Sequence, residues 1–171
     1  YEGHFYLPLK GFSKPIYAIP GNHDWFDALE GFNANFLEPR AARSAMSARV
    51  EVDLRLTSTN NRRIETLIRE AIRLRGLYGT EVGTQRAPFF ELQTDRFSLL
   101  AIDTGIMRSV DDRQSAWLVR ALERSRGKFI MAIVGHPRFA GGADTAIGDE
   151  NFKALYDQLS RAGVAVVMAG D

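Results

Sequence analysis

The chain has 171 residues, 45% of them hydrophobic and 25% charged, which are proportions typical of a globular domain with a buried core. Its net charge of +1 gives no bulk field that attracts nucleic acid or an anionic membrane. No nucleic-acid partner is therefore predicted, whereas membrane association of a longer parent protein is left open. The absence of cysteine excludes disulfides, thiolate metal sites and a cysteine nucleophile.

The first predicted element is a strand at Ile16–Ile19, a short apolar run that ends at Pro20. A helical segment at residues 38–86 then interrupts the chain, and we interpret it as an insertion or cap. Pro39 occupies the favoured first-turn position of a helix. Residues 50–56 alternate apolar and charged side chains, which fits a strand as well as a helix, and the helix is the preferred interpretation.

Asn61–Arg75 carries the most regular helical pattern of this segment. Its apolar residues form one stripe, and Gly76 is predicted to end the helix. Its other face is basic, with Arg62, Arg63, Arg69 and Arg73. A basic amphipathic helix can bind a membrane surface or a nucleic acid, but most such helices pack by one face and are solvated on the other. A function as an adaptor that binds membranes or nucleic acids is therefore the least favoured of the three functions considered for this chain.

The remaining chain alternates strands with helices. Four further strands are predicted, the first two joined by a turn: Phe89–Thr94, Phe97–Asp103, Phe129–Val134 and Val164–Ala169. Helices are predicted at Asp111–Arg124 and at Asn151–Ala162, the second ended by Gly163. This order predicts an α/β layered fold. Because the strands are apolar on both faces, we expect the sheet to be covered on both sides.

Pro20-Gly21-Asn22-His23-Asp24 is the first functional signal, directly after the first predicted strand. Gly21 permits a tight turn at the carboxyl edge, where open α/β sheets bind their ligands. Asn22 offers a neutral oxygen to a hard metal, and His23 can bind a metal or donate a proton. Asp24 could orient a neighbour or cap a helix. A turn with Asn and Asp in ordinary structural roles explains the pattern equally well.

Three other predicted strands end in the same way. Asp103-Thr104-Gly105, Gly135-His136-Pro137 and Ala169-Gly170-Asp171 each place polar residues and glycine after a buried run. A single histidine in such a position is usually structural. Several polar strand ends that open onto one edge of a sheet are hard to explain by packing alone. The sequence therefore predicts a ligand or metal site at this edge.

These motifs resemble those of the calcineurin-like metallophosphoesterases, the family of the purple acid phosphatases and many phosphodiesterases. Residues 20–24 match its Gly-Asn-His-Asp/Glu motif, and residues 100–105 look like its Leu-Asp-(Ser/Thr)-Gly strand end. Residues 114–118 are similar to its Gln-x-x-Trp-Leu helix, and residues 135–137 resemble its Gly-His-x-Pro loop. Residues 169–171 fall where its Gly-His-x-His motif begins. The order of the motifs is also that of the family.

The resemblance implies an α/β/β/α sandwich, here incomplete, and a two-metal hydrolase of phosphomonoesters or phosphodiesters. Asn22 would ligate one metal and contact the substrate phosphate, and His23 would act as general acid or contact the phosphate. His136 would ligate the second metal. Asp171 replaces the first histidine of the last motif and is a candidate ligand. The metals would be two divalent or trivalent ions of the Mn, Fe or Zn class. Arg138 could contact a phosphate, although a surface role is more common.

Two motifs of the family have no counterpart before Tyr1, and the histidine expected after Asp171 is absent. Residues 1–171 are therefore expected to be the central and C-terminal part of one metallophosphoesterase domain, incomplete and inactive alone. We expect that this chain cannot hold two metals tightly. The predicted function is phosphoester hydrolysis by the complete protein. The alternative is a metallophosphoesterase-like binding domain that has lost its chemistry, which the Asp171 replacement favours.

Overall fold

The structure is a computed structural model, and it describes residues 1–52, 61–81, 83–106, 108–138 and 150–170. The chain divides into two compact units. The helical unit comprises Tyr1–Ala18 and Phe26–Pro88, and the α/β unit comprises Ile19–Trp25 and Phe89–Asp171. The helical unit therefore contains the predicted segment 38–86 and also residues on its N-terminal side.

The described residues of the helical unit form a short π-helical turn and three α-helices. These are the turn Glu2–Tyr6, α1 (Glu30–Phe36), α2 (Pro39–Val52) and α3 (Asn61–Tyr78). The three α-helices contact one another, and their buried side chains include Phe32, Met46 and Ile64. The helix predicted to begin at Pro39 is thus confirmed. The helical interpretation of residues 50–56 is confirmed as far as Val52, and the rest of that run lies outside the described residues.

Helix α3 continues three residues beyond its predicted end. The prediction that Gly76 ends it was wrong, because Gly76 adopts ordinary helical geometry inside the last turn. Gly79, with φ of +64°, takes the left-handed conformation that ends the helix. The Thr80 N–H then donates to the Arg75 carbonyl at 3.0 Å, which satisfies one of the terminal carbonyls.

The basic face of α3 carries carboxylates as well as arginines. Arg73 pairs with Glu70 on the same helix at 2.7 Å, and Arg63 pairs with the buried Glu30 of α1 at 2.7 Å. Glu65 of α3 pairs with Arg43 of α2. These carboxylates partly neutralise the positive charge that the arginine pattern of α3 suggests. No helix among the described residues combines the length and the apolar character needed to cross a membrane.

The first predicted strand, Ile16–Ile19, is not a strand in the structure. The Ala18 N–H instead donates to Gln85 Oε1 at 3.1 Å, and Gln85 Nε2 donates to the Ala18 carbonyl at 2.8 Å. Pro15 and Pro20 flank this segment and lack the N–H that a ladder needs. A side-chain amide therefore supplies the two hydrogen bonds that a neighbouring strand would supply.

The α/β unit contains a mixed sheet among its described residues. Its strands are β1 (Phe90–Gln93), β2 (Phe97–Ile102), β3 (Phe129–Val134) and β4 (Val166–Ala169). They lie in the order β1-β2-β3-β4, with β1 antiparallel to β2 and the other pairs parallel. Helix α4 (Asp112–Arg124) connects β2 to β3, and α5 (Glu150–Arg161) precedes β4. The α/β class and these four predicted strands are confirmed.

One face of the sheet packs against α4 and α5. Its core consists of aliphatic and aromatic side chains from two strands and both helices: Leu100, Ile102, Ile130, Ala132, Val134, Leu118, Ala121, Leu122, Phe152, Leu155 and Leu159. Asp111 caps α4 by accepting a hydrogen bond from the Gln114 N–H at 2.7 Å. Gly163, with φ of +77°, follows α5 as predicted.

The opposite face of the sheet is only partly covered. Phe129 is 52% exposed, Met168 43% and Val166 37%. The expectation of a sheet covered on both sides is therefore not met within the described residues. The apolar pattern reports which side chains are suited to burial, and it does not say what covers them.

Candidate functional site

The candidate site lies where β2 and β3 end. Ile102 and Val134, the last residues of these parallel strands, are paired in the ladder. The residues that follow them, Asp103-Thr104-Gly105 and Gly135-His136, therefore leave the sheet side by side at its carboxyl edge. This is the edge at which open α/β sheets bind ligands.

Thr104 and His136 contact each other across the two strand ends. Thr104 Oγ1 lies 2.9 Å from His136 Nδ1, and both side chains are buried, with exposures of 0% and 5%. A hydroxyl can either donate to this nitrogen or accept from it. With Nδ1 in this contact, a metal would have to bind His136 through Nε2.

Gly135 allows a third segment to approach the same edge. A Cβ atom at this position would lie 3.0 Å from Thr104 Oγ1 and 3.4 Å from the Pro20 carbonyl oxygen. The backbone just before Asn22 thus passes close to both strand ends. Any larger residue at position 135 would push these groups apart.

Asp103 holds the segment that carries Asn22 and His23. A 3-10 helix, Asn22–Asp27, follows Gly21, and its Trp25 donates from Nε1 to Asp103 Oδ1 at 3.1 Å. The same carboxylate oxygen accepts from the Gly105 N–H at 2.9 Å. Gly105 takes a left-handed φ of +58°, and a Cβ there would lie 3.6 Å from the Trp25 ring. The buried carboxylate of Asp103 is therefore used to fix the loops.

Gln114 fixes the backbone of Asp103 itself. Its Oε1 accepts from the Asp103 N–H at 2.9 Å, and its Nε2 donates to the Asp103 carbonyl at 2.7 Å. Gln114 is 3% exposed, so water does not replace these bonds easily. Helix α4 thereby anchors the turn that follows β2.

Asn22, His23 and Asp24 form a hydrogen-bonded turn. Asn22 Oδ1 accepts from the His23 N–H at 2.9 Å, and Asp24 Oδ2 accepts from the Gly21 N–H at 3.0 Å. His23 is exposed and Asn22 is half-buried. The ordinary turn roles of Asn and Asp are thus present. The Asn22 oxygen has a second lone pair, so this turn is compatible with metal binding, and the predicted roles of Asn22 and His23 stay predictions.

Arg138 is held by helix α5. Its guanidinium pairs with Asp157 at 3.8 Å and lies 5.6 Å from the centre of the Tyr156 ring. Burial raises the pKa of the Tyr156 hydroxyl, and a hydrogen bond with the Arg138 backbone and the positive charge of Arg138 oppose this shift. These contacts account for the position of Arg138 without a phosphate. Its predicted substrate contact stays a prediction.

The donor set on the described residues is too small for two metals. No group of three or more His, Asp or Glu side chains within this part of the chain is placed to hold an ion. Asn22 and His136 supply neutral donors, whereas the carboxylates of Asp24 and Asp103 already accept hydrogen bonds within the loops. Asp171, the third predicted ligand, lies outside the described residues. Further ligands would be needed for the two-metal chemistry.

Sequence reasoning singled out residues 103–105 as a polar strand end but gave them no role. The structure shows that Asp103 and Thr104 hold the other two loops, and that Trp25 and Gln114 hold Asp103. The signal that could have found them was the conjunction of a buried strand, Asp-Thr-Gly and a glutamine in the following helix. The partners lie 11 to 78 residues apart in the chain, so no local pattern pairs them.

No family model matches the chain, and no curated protein or solved structure matches it either. The resemblance to the metallophosphoesterases therefore rests on the motifs and their order. The activity that it implies is a proposal.

Proposed function

We propose that this chain is part of a metal-dependent phosphoester hydrolase of the calcineurin-like metallophosphoesterase type. The observation that carries the proposal is the meeting of three motif loops, residues 20–25, 103–105 and 135–136, at the carboxyl edge of β2 and β3. Loops from distant parts of a chain converge at such an edge in ligand-binding α/β proteins.

Asn22 and His136 are the proposed metal ligands of this chain. An amide oxygen and an imidazole suit ions of the Mn, Fe or Zn class. When bound, two such ions would supply an activated hydroxide and hold the phosphoryl oxygens of the substrate. The chain's own contribution is to hold these neutral donors at one edge of the sheet. Asp171 is a candidate for an additional, charged ligand.

His23 is the proposed proton donor. Its side chain is exposed, while its backbone N–H is tied to Asn22. An exposed imidazole beside a metal ligand can reach the leaving oxygen of a bound phosphoester and donate a proton to it. The same position would also allow it to contact a phosphate oxygen.

We propose the α/β/β/α sandwich as the complete fold, with residues 38–86 as a helical insertion. The exposed apolar side chains of Phe129, Val166 and Met168 on the partly covered face support a second layer. Two sheets in a sandwich pack through such apolar faces.

The test replaces each of the chain's three histidines in turn. The variants are made in the intact protein, meaning the longer protein of which this chain is proposed to be a part. Bound transition metal and hydrolysis of an aryl phosphate monoester and diester are measured for each variant. His23→Ala should keep the metal and lose about 100-fold or more in turnover, as expected for a general acid. His136→Ala should lose metal as well as activity. His4→Ala, an exposed residue in the helical unit, is the matched control and should change neither.

Two outcomes would contradict the proposal. One is a folded intact protein that binds no transition metal and shows no turnover that depends on His23; this would favour the binding domain without chemistry. The other is an equal loss of activity in the His4 and His23 variants, which would remove His23 from the mechanism.

A further inference from the structure

The inference rests on the proposed function and adds a positioning residue to it. We propose that Thr104 fixes the tautomer of His136 by accepting a hydrogen bond from Nδ1–H. The lone pair of Nε2 is then presented to the metal. Neither residue needs to move for this arrangement, since the two atoms already lie 2.9 Å apart.

The environment of the contact favours a fixed arrangement. Thr104 is fully buried and His136 is 5% exposed, so water competes little for the ring nitrogen. Gly135 brings the two side chains together, because a Cβ there would lie 3.0 Å from Thr104 Oγ1. Threonine is branched at Cβ and has few accessible rotamers, which holds its hydroxyl in place.

The backbone of Thr104 is fixed from both sides. The preceding residue, Asp103, is held by Gln114 through both its N–H and its carbonyl. The following residue, Gly105, is held by its N–H to the Asp103 carboxylate. The hydroxyl of Thr104 is therefore positioned by a rigid turn and not by an adjustable loop, as a group that orients a metal ligand must be.

The chemistry explains why the direction of this hydrogen bond matters. A histidine that binds a metal through one nitrogen almost always donates the proton of the other nitrogen to an acceptor, which fixes tautomer and ring orientation. A hydroxyl can serve as this acceptor and carries no charge. If the hydroxyl donated to Nδ1 instead, the proton would reside on Nε2 and block metal binding there.

The experiment reads the tautomer directly in the metal-free chain. Long-range proton–nitrogen NMR of the ¹⁵N-labelled chain, at about pH 8 where an ordinary imidazole is neutral, distinguishes protonated from unprotonated ring nitrogens. The signals are assigned by their loss in His136→Gln. Nδ1 should carry the proton in the unaltered chain and in Thr104→Ser, which keeps the hydroxyl. Thr104→Val, which keeps the shape, should shift the proton toward Nε2.

Ser98→Ala is the matched control, because it removes a buried hydroxyl from β2, the strand that precedes Thr104, without touching His136. Ser98 bonds to Ser125 at 2.7 Å. It should leave the His136 nitrogens unchanged. A proton on Nε2 in the unaltered chain, or identical ring signals in Thr104→Val, would overturn the inference. The first of these needs no variant of Thr104, so a failure of Thr104→Val to fold does not protect the proposal.

A second measurement separates this inference from the proposed function. In the intact protein, Thr104→Val should bind transition metal about 10- to 100-fold more weakly than the unaltered protein and Thr104→Ser. If no variant binds metal, the proposed function fails, and the NMR result alone decides the role of Thr104. If metal binds equally to all three proteins, Thr104 does not position the ligand.

Discussion

Each unit of the molecule contains a buried glutamine that clamps the backbone of one distant residue. In the helical unit, Gln85 bonds to both the N–H and the carbonyl of Ala18. In the α/β unit, Gln114 does the same for Asp103. Toward the clamped residue, the side-chain amide uses one N–H as donor and its oxygen as acceptor, so it substitutes for the peptide group of a neighbouring strand.

The two clamps differ in what they hold. Asp103 is buried directly after β2, and its clamp fixes the turn of the candidate site. Ala18 is half-buried in an irregular segment, and its clamp takes the place of the predicted strand. The same side-chain amide can therefore either position a functional turn or replace a strand partner. Which of these it does depends on the element beside it.

Removing the two clamps should have unequal effects. Gln114→Leu leaves the N–H and carbonyl of buried Asp103 without partners, and we expect the α/β unit to lose about 4 kcal/mol of unfolding free energy. Gln85→Leu should cost the helical unit about 3 kcal/mol. Water can reach the half-buried Ala18, whereas the carbonyl of buried Ala87 also loses the hydrogen bond that it accepts from Gln85 Nε2 at 2.6 Å. Hydrogen exchange read by mass spectrometry gives the opening free energy of each unit separately.

Gln93→Leu is the control for both variants, since Gln93 is exposed on β1. It should change the free energy of either unit by less than about 0.5 kcal/mol. Equal losses for the Gln85 and Gln114 variants would mean that burial of the clamped residue does not set the cost.

Tyr6 is expected to have a smaller effect, confined to the helical unit. Its hydroxyl donates to Asn35 Oδ1 at 2.8 Å, so Tyr6→Phe should cost about 1 kcal/mol near neutral pH. Burial raises the pKa of Tyr6 above its ordinary value, and Arg75 opposes the shift. The unfolded chain therefore ionises first, and the stability due to Tyr6, complete below about pH 10, is lost as the pH rises further.

Tyr6→Phe should remove this alkaline loss from the helical unit. The measurement is urea unfolding between about pH 8 and 11, with hydrogen exchange assigning the change to one unit. Tyr156→Phe is the matched variant in the α/β unit, where burial also raises a tyrosine pKa. An unchanged alkaline decline of the helical unit in Tyr6→Phe would show that another group causes it.

The smallest effect is expected at Gly76, inside α3. Gly76→Ala should stabilise the helical unit by about 0.5–1 kcal/mol, because nothing lies within 4 Å of the added Cβ and alanine loses less backbone entropy. Gly79→Ala should instead destabilise it by about 1 kcal/mol, since its φ of +64° is costly for alanine. Thermal unfolding compares the two variants, and a destabilising Gly76→Ala would contradict the assignment of Gly79 as the helix end.

The sequence predicted the strands of the α/β unit better than it predicted the irregular segment and the helix end of the helical unit. Strands such as Phe129–Val134 are continuous apolar runs bounded by turn residues, and the structure places that strand at the predicted residues. Ile16–Ile19 has the same apolar character, but its hydrogen-bond partner is the side chain of Gln85, 67 residues away from Ala18. Apolar pattern alone cannot report such a partner.

For the candidate site, the sequence located the loops but not the contacts between them. Glycine beside a polar residue after a predicted buried strand marked Asn22, Thr104 and His136. The bond between Thr104 and His136 joins residues 32 positions apart, so it follows from the register of β2 and β3 and not from local spacing. The catalytic and metal-binding roles implied by the family resemblance are still predictions.

The bond between Trp25 and Asp103 gives the site a fluorophore of its own. The indole belongs to the 3-10 helix that carries Asn22 and His23, so a ligand that displaces this helix will change the emission of Trp25. The only other tryptophan in the sequence is Trp117 of α4, whose ring packs against Phe89. Replacing it with phenylalanine would leave a single reporter, and compounds could then be screened optically before any substrate is known.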